Sequence, residues 1–218
     1  MAIDAHRRKP SVAIVGNAGY LRDLDLGEQI DACDVVVRMN NFVIDGYERS
    51  AGHKIDLYAV NFAYEIRFNN PAIREAKWVM ATVPCNFLKD RQRGLRFRHG
   101  IHIARGLDLM RRDEVFVPPT DYVCAWYDKL GSVPTSGVMT ILLMTDLLRD
   151  RVGDILLAGF SFYQGRSHYY SDEVIVPQMH NPPAERTMLA EYLRDMTASG
   201  RVTLDPVMKQ HLYPNHGA

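Results

Sequence analysis

The sequence predicts a single α/β domain, with a mainly parallel central sheet flanked by helices around a Rossmann-like core. Three observations carry this. Short apolar runs recur and stop at glycine, asparagine or proline, as in SVAIVGNAG, DVVVRMNN, KIDLYAVN and DILLAGFSFY. Segments with helical apolar spacing lie among them, notably TSGVMTILLMTDLLRDR and AERTMLAEYLRDM. Strands that alternate with helices pair in parallel and are covered on both faces. With 218 residues, 47% of them hydrophobic and 24% charged, the chain can bury the core of one large domain. That domain is placed at residues 11–213, with flexible segments at 1–10 and 214–218.

The elements follow in order. SVAIV is a buried strand feeding a glycine turn, and LRDLDLGEQIDAC a short helix broken near Gly27. DVVVRMNN and KIDLYAVN are the second and third strands, and AKWVMATVP a fourth that ends at Pro84. The stretch FVPPTDYVCAWYDKLGSVPTSG is rich in turn formers and reads as partly irregular. TSGVMTILLMTDLLRDR then reads as one helix, with small residues first and arginines last. DILLAGFSFY is the most apolar strand. Asn181-Pro182-Pro183 opens the next helix, and RVTLDPV closes the domain as a short strand.

Composition narrows the function classes. Lys+Arg and Asp+Glu both count 26, a balance that argues against a general nucleic-acid binder. The run Arg91, Arg93, Arg96, Arg98 reads as a solvated face that can also attract an anionic acceptor or the surface of a membrane. Cys33, Cys85 and Cys124 are too few and scattered for a disulfide framework, and no CxxC spacing suggests zinc. MAIDAHRRKP has no apolar signal-peptide core, and no apolar run reaches membrane-spanning length. A reduced, cytoplasmic protein, peripheral to a membrane at most, is the expectation.

In open parallel sheets ligands bind beyond the carboxyl ends of the strands. Five places therefore share one crevice: GNAG, RMNN, AVNF, PTSG and FSFYQGRSHYY. Gly16-Asn17-Ala18-Gly19 allows close backbone approach to a phosphate or nucleotide, or is an ordinary strand-to-helix turn; it lacks the third glycine of a dinucleotide fingerprint. Asn40 and Asn41 can bond a phosphate, a ribose or a base edge, or merely cap the strand. Thr135-Ser136-Gly137 caps a helix and can also receive an anion. His168, with Tyr169 and Tyr170, can donate to a phosphate leaving group, or is a loop histidine between aromatics. His180, five positions before Glu185, suits a general base, since histidine ordinarily titrates near ~6.5. The plain alternatives are a solvated His180 and a Glu185 favoured by the helix dipole. No two of these histidines stand at zinc-ligand spacing, so no metal is expected.

Taken together, AIVGNAGYL…IDACDVVVRMNN…GYERSAGHK, PTSGVMTILLMTDLLRDRVGDILLAGFSF, His168-Tyr169-Tyr170 and His180-x4-Glu185 resemble the sialyltransferases of glycosyltransferase family 29. The four motifs stand in the family's order between Val12 and Glu185. The PTSGV…GFSFYQG segment is also similar to bacterial family 42 sialyltransferases. The resemblance implies a GT-A-like fold and an inverting, metal-independent transferase. Its donor is a CMP-linked sialic acid or related nonulosonic acid, and its acceptor a glycan or glycolipid. It places Gly16, Asn17, Ala18, Asn40 and Asn61 against the donor, together with Thr135, Ser136, Gly137, Gly159, Phe160 and Tyr169. It makes His168 the phosphate donor and His180 the base, with Glu185 beside it, and it requires no cofactor. Ala18 stands where the family has serine, and Ser11 and LLRDRVGD stand near its usual cysteines. The short interval between His168 and His180 implies a reduced acceptor-side lid. A CMP-Kdo transferase and a nucleotide-binding module without transferase activity are the alternatives. A nicotinamide-dependent enzyme or a methyltransferase fits less well, because the glycine fingerprint is incomplete.

Overall fold

The computed structural model describes residues 8–61, 70–82, 115–165, 168–172 and 179–214. Pro84, Cys85 and the arginine run of residues 91–98 lie outside the described residues, as do most of the expected flexible segments. Within them is a seven-stranded, wholly parallel sheet. Its strands are β1 (Val12–Val15), β2 (Val35–Met39), β3 (Leu57–Val60), β4 (Trp78–Ala81), β5 (Val115–Phe116), β6 (Ile155–Ala158) and β7 (Val202–Leu204), in the order β5-β4-β3-β2-β1-β6-β7.

β1 and β6 are buried along their whole length because both faces of the sheet are covered. Side chains alternate across a strand, so β1 sends Val12 and Ile14 to one layer and Ala13 and Val15 to the other. The first layer contains α3 (Thr120–Leu130), α4 (Ser136–Leu142) and α5 (Pro182–Ala198), with α6 (Pro206–Leu212) behind them. The second is thinner, built from a 3-10 turn (Gly19–Asp23), α1 (Gly27–Asp31) and α2 (Glu48–Ala51).

One local reading is corrected and two are sharpened. FVPPTDYVCAWYDKLGSVPTSG is irregular only at its ends: between residues 117–119 and 131–135, Thr120–Leu130 is an 11-residue helix, entered through Pro119 and closed by Gly131 in the left-handed region at φ 65°. TSGVMTILLMTDLLRDR is not one α-helix. It widens into a π turn at Leu143–Leu147, where the Tyr122 hydroxyl donates to Leu142 O (3.1 Å) and lies 3.1 Å from Asp146 Oδ2. The short LRDLDLGEQIDAC helix is two turns, and Gly27 starts the second. A Cβ on Gly27 would lie 2.0 Å from Glu48 O, so only glycine lets α1 meet α2. Among the described residues no helix is long and apolar enough to cross a membrane. Cys33 is a free thiol, but Cys124 is disulfide-bonded, which departs from the fully reduced chain expected from cysteine spacing.

Candidate active site

Strand order reverses between β1 and β6: the chain runs outward from β1 through β2–β5, then crosses back to β6 and β7. Loops leaving the two strands part there and open a cleft. Gly16 follows β1 and Gly159 follows β6, and their backbones touch. A Cβ on Gly16 would fall 2.2 Å from Gly159 O, and one on Gly159, at φ 82°, 2.8 Å from Gly16 O. Gly16 N donates to Ala158 O (2.7 Å) and Ala18 N to Gly159 O (3.0 Å). Gly16→Ala is therefore expected to lower stability by at least about 1–3 kcal/mol, the usual cost of overpacking; a urea midpoint equal to wild type would disprove the tight crossing.

Beneath this crossing lies a polar brace that the sequence reading missed. Asp205, 2% exposed, accepts Gly159 N (2.9 Å) and the Tyr20 hydroxyl (2.7 Å) on Oδ2, while its Oδ1 caps α6 through Val207 N and Met208 N. The Tyr20 hydroxyl in turn accepts Phe160 N (2.9 Å). Burial first, and then Asp205, push the Tyr20 phenol far above its ordinary range, so it stays protonated. The signal available in the sequence was Asp205-Pro206, a helix-start pair.

All five strand-end segments reach the cleft. Gly16, Asn17 and Ala18 line it from β1, Asn40 from β2, and Asn61 from β3. Thr135, Ser136 and Gly137 line it from the start of α4, and Gly159 and Phe160 from β6. His168, His180 and Glu185 complete the wall. Asn17 Nδ2 donates to Met39 O (3.1 Å), and its buried Oδ1 has no partner among the described residues. Asn40 sits at φ 48°, a conformation asparagine tolerates, and its Oδ1 accepts Asn61 N (3.3 Å). Gly137 is pressed against Phe160, whose Cε1 lies 2.9 Å from where a Cβ would stand.

The two histidines differ in how they are held. His180 Nδ1 lies 2.7 Å from Val133 O, a contact that requires Nδ1–H and leaves the Nε2 lone pair available. His168 stacks on Tyr170, with ring centroids 5.0 Å apart and planes at 19°. Glu185, 1% exposed, is bonded to Thr135: its Oε1 accepts Thr135 N (2.6 Å) and its Oε2 the Thr135 hydroxyl (2.9 Å). It thus ties the start of α5 to the start of α4. Burial outweighs these two bonds and raises its pKa to about 7.

Tyr169 is the site residue placed differently from expectation. It is wholly buried and does not line the cleft. Its hydroxyl accepts Val43 N (3.0 Å) and donates to Val43 O, and its amide donates to Asn17 O (3.0 Å). It pins the histidine loop to the strand-end loops, because its ring fills the second core layer beside Tyr47. Tyr169→Phe is expected to cost about 1–3 kcal/mol by stranding Val43 polar groups, read as a lower thermal midpoint; no shift would remove the pin.

The match to known families now has a place to attach. Residues 5–86, which include Gly16, Asn17, Asn40 and Asn61, match the family model for glycosyltransferase family 29 (sialyltransferase). This segment of the chain is similar to glycosyltransferase family 29. It is 24% identical to mouse lactosylceramide alpha-2,3-sialyltransferase over 84% of its own length, and spans only half of that relative. A 41-residue segment is 46% identical to human type 2 lactosamine alpha-2,3-sialyltransferase, covering 19% of this chain and 12% of that one. The fold is similar to a mammalian sialyltransferase crystal structure, with TM-score 0.57 and 17% identity over 90% of this chain and 69% of the other. The family 29 match ends before Thr135, His168 and His180, so these three rest on the motifs and on their meeting in the cleft.

Proposed function

We propose that this chain transfers sialic acid, or a related nonulosonic acid, from a CMP-sugar to a glycan or glycolipid hydroxyl, with inversion and without a metal. The observation that carries the reading is the meeting of two histidines with the asparagine and glycine loops in one cleft at the β1/β6 reversal. A binding module needs no base, yet His180 is oriented with Nε2 available.

The residues take distinct parts. Asn17 offers its carbonyl oxygen to a ribose hydroxyl, and the second hydrogen on its Nδ2 to a phosphate or ribose oxygen. Asn40 keeps its Nδ2 for a phosphate or ribose oxygen. Ser136, Gly137 and Phe160 hold the nucleotide. The acceptor oxygen attacks the anomeric carbon as its proton passes to His180 Nε2. The bond to the CMP phosphate breaks and its electron pair stays on that phosphate. His168 donates there and stabilises the charge, a task that other enzymes give to a metal. Among the described residues no group of three or more His, Cys, Asp or Glu is placed to hold a metal ion.

Calorimetric titration with CMP, UMP and GMP in EDTA tests the donor half. CMP is expected to bind tightest, and CMP-sialic acid more tightly than CMP-Kdo. Preference for CMP-Kdo would move the donor assignment, and no CMP binding would remove both the transferase and the binding-module readings.

A further inference from the structure

The cleft wall carries an unusual backbone feature. Phe162 and Tyr163 are consecutive non-glycine residues in the left-handed region, at φ 50° and 59°. Such conformations are strained for residues with a side chain and persist where the surroundings impose them. Packing accounts for Phe162, whose side chain rests on the main core. It does not account for Tyr163. That side chain is 37% exposed, lines the cleft, and among the described residues its hydroxyl makes no hydrogen bond. Its ring lies at 20° to the His180 imidazole, with 6.5 Å between centroids. A bulky ring with an unused hydroxyl is thus held, at a cost in strain, beside the base.

We propose that Tyr163 is the acceptor platform, its ring carrying the C–H face of the acceptor's terminal pyranose so that the reacting hydroxyl meets His180. This rests on the transferase reading. A pyranose presents an apolar C–H face bordered by hydroxyls, and tyrosine offers an apolar body with a polar tip that matches both. The competing occupant is the donor's cytosine. Phe160, packed against Gly137 in the same cleft, already offers that base an aromatic ring. Tyr163 stands by the acceptor's base instead.

The test titrates lactose onto CMP-loaded protein by saturation-transfer NMR, for wild type and for Tyr163→Phe, Tyr163→Ala and Tyr163→Gly. The alanine and glycine variants are expected to bind lactose about tenfold more weakly, as the loss of one aromatic contact implies. Phenylalanine keeps most of the affinity, and CMP affinity is unchanged in all three. Glycine relieves the left-handed strain, so its urea midpoint rises even as lactose binding falls, a combination that general unfolding cannot produce. Equal lactose affinity in wild type and Tyr163→Ala, or none in wild type, overturns the proposal. A parallel loss of CMP affinity also overturns it, by placing the ring under the nucleotide. The readout needs no turnover. A chain that holds lactose through Tyr163 but transfers nothing keeps the platform and loses the transferase.

Discussion

His180→Ala is expected to slow transfer from CMP-sialic acid by about 10²–10⁴-fold, the usual contribution of a positioned base, equivalent to about 3–5 kcal/mol of barrier. CMP affinity should stay close to wild type, because His180 is held by Val133 O and is not among the residues proposed to hold the nucleotide. Single-turnover kinetics separates the two quantities. Azide sharpens the test, since it attacks without surrendering a proton and should restore turnover to His180→Ala. It should not restore His168→Ala, where the departing phosphate has lost its donor. Equal rescue of both variants would contradict the division of labour between the two histidines.

The second large effect is a pH dependence of stability at Glu185. Its carboxyl titrates near about 7 when folded, against an ordinary 4.5, because it is buried and its two bonds to Thr135 only partly offset desolvation. Between these values the folded state binds more protons than the unfolded state, so stability falls as pH rises. The contribution is fully present below pH 4.5 and is lost by about pH 7, and the difference corresponds to about 3 kcal/mol. Glutamine has the same shape and can still accept Thr135 N while donating to its hydroxyl. Urea unfolding of wild type minus Glu185→Gln, measured from pH 4.5 to pH 8, should therefore decline by about 3 kcal/mol. A flat difference would mean that Glu185 is not held as described. Glu185→Ala strands Thr135 N, costs about 1–3 kcal/mol, and should weaken CMP binding through the displaced α4 start.

What could be read in advance follows from how local each feature is. Strands such as VAIV and ILLA are buried on both faces, so their apolar runs announce them, and a parallel α/β sheet places the loops after them in one crevice. Convergence of Asn17, Asn40, Asn61, Thr135 and the two histidines was legible for that reason. The helix Thr120–Leu130 was hidden because Pro118-Pro119 resembles a turn, although proline also opens helices. The π turn depends on Tyr122, 20 residues from the carbonyl it bonds. The contacts of Glu185 and Tyr169 were hidden for a related reason. Each sits in a motif beside reacting groups, but burial and distant backbone partners, Thr135 and Val43, set what each side chain does. The Tyr20–Asp205 brace spans 185 positions, which no local pattern reveals.

The most direct test is product formation: CMP-sialic acid supplied with lactose, type 2 lactosamine and lactosylceramide, in excess EDTA, with sialylated product read by mass spectrometry. Wild type is predicted to form product at the same rate with and without EDTA, and His180→Ala to form almost none. CMP bound by wild type with no product from any acceptor would contradict the transferase assignment, and product formed only when a divalent metal is restored would contradict its metal independence.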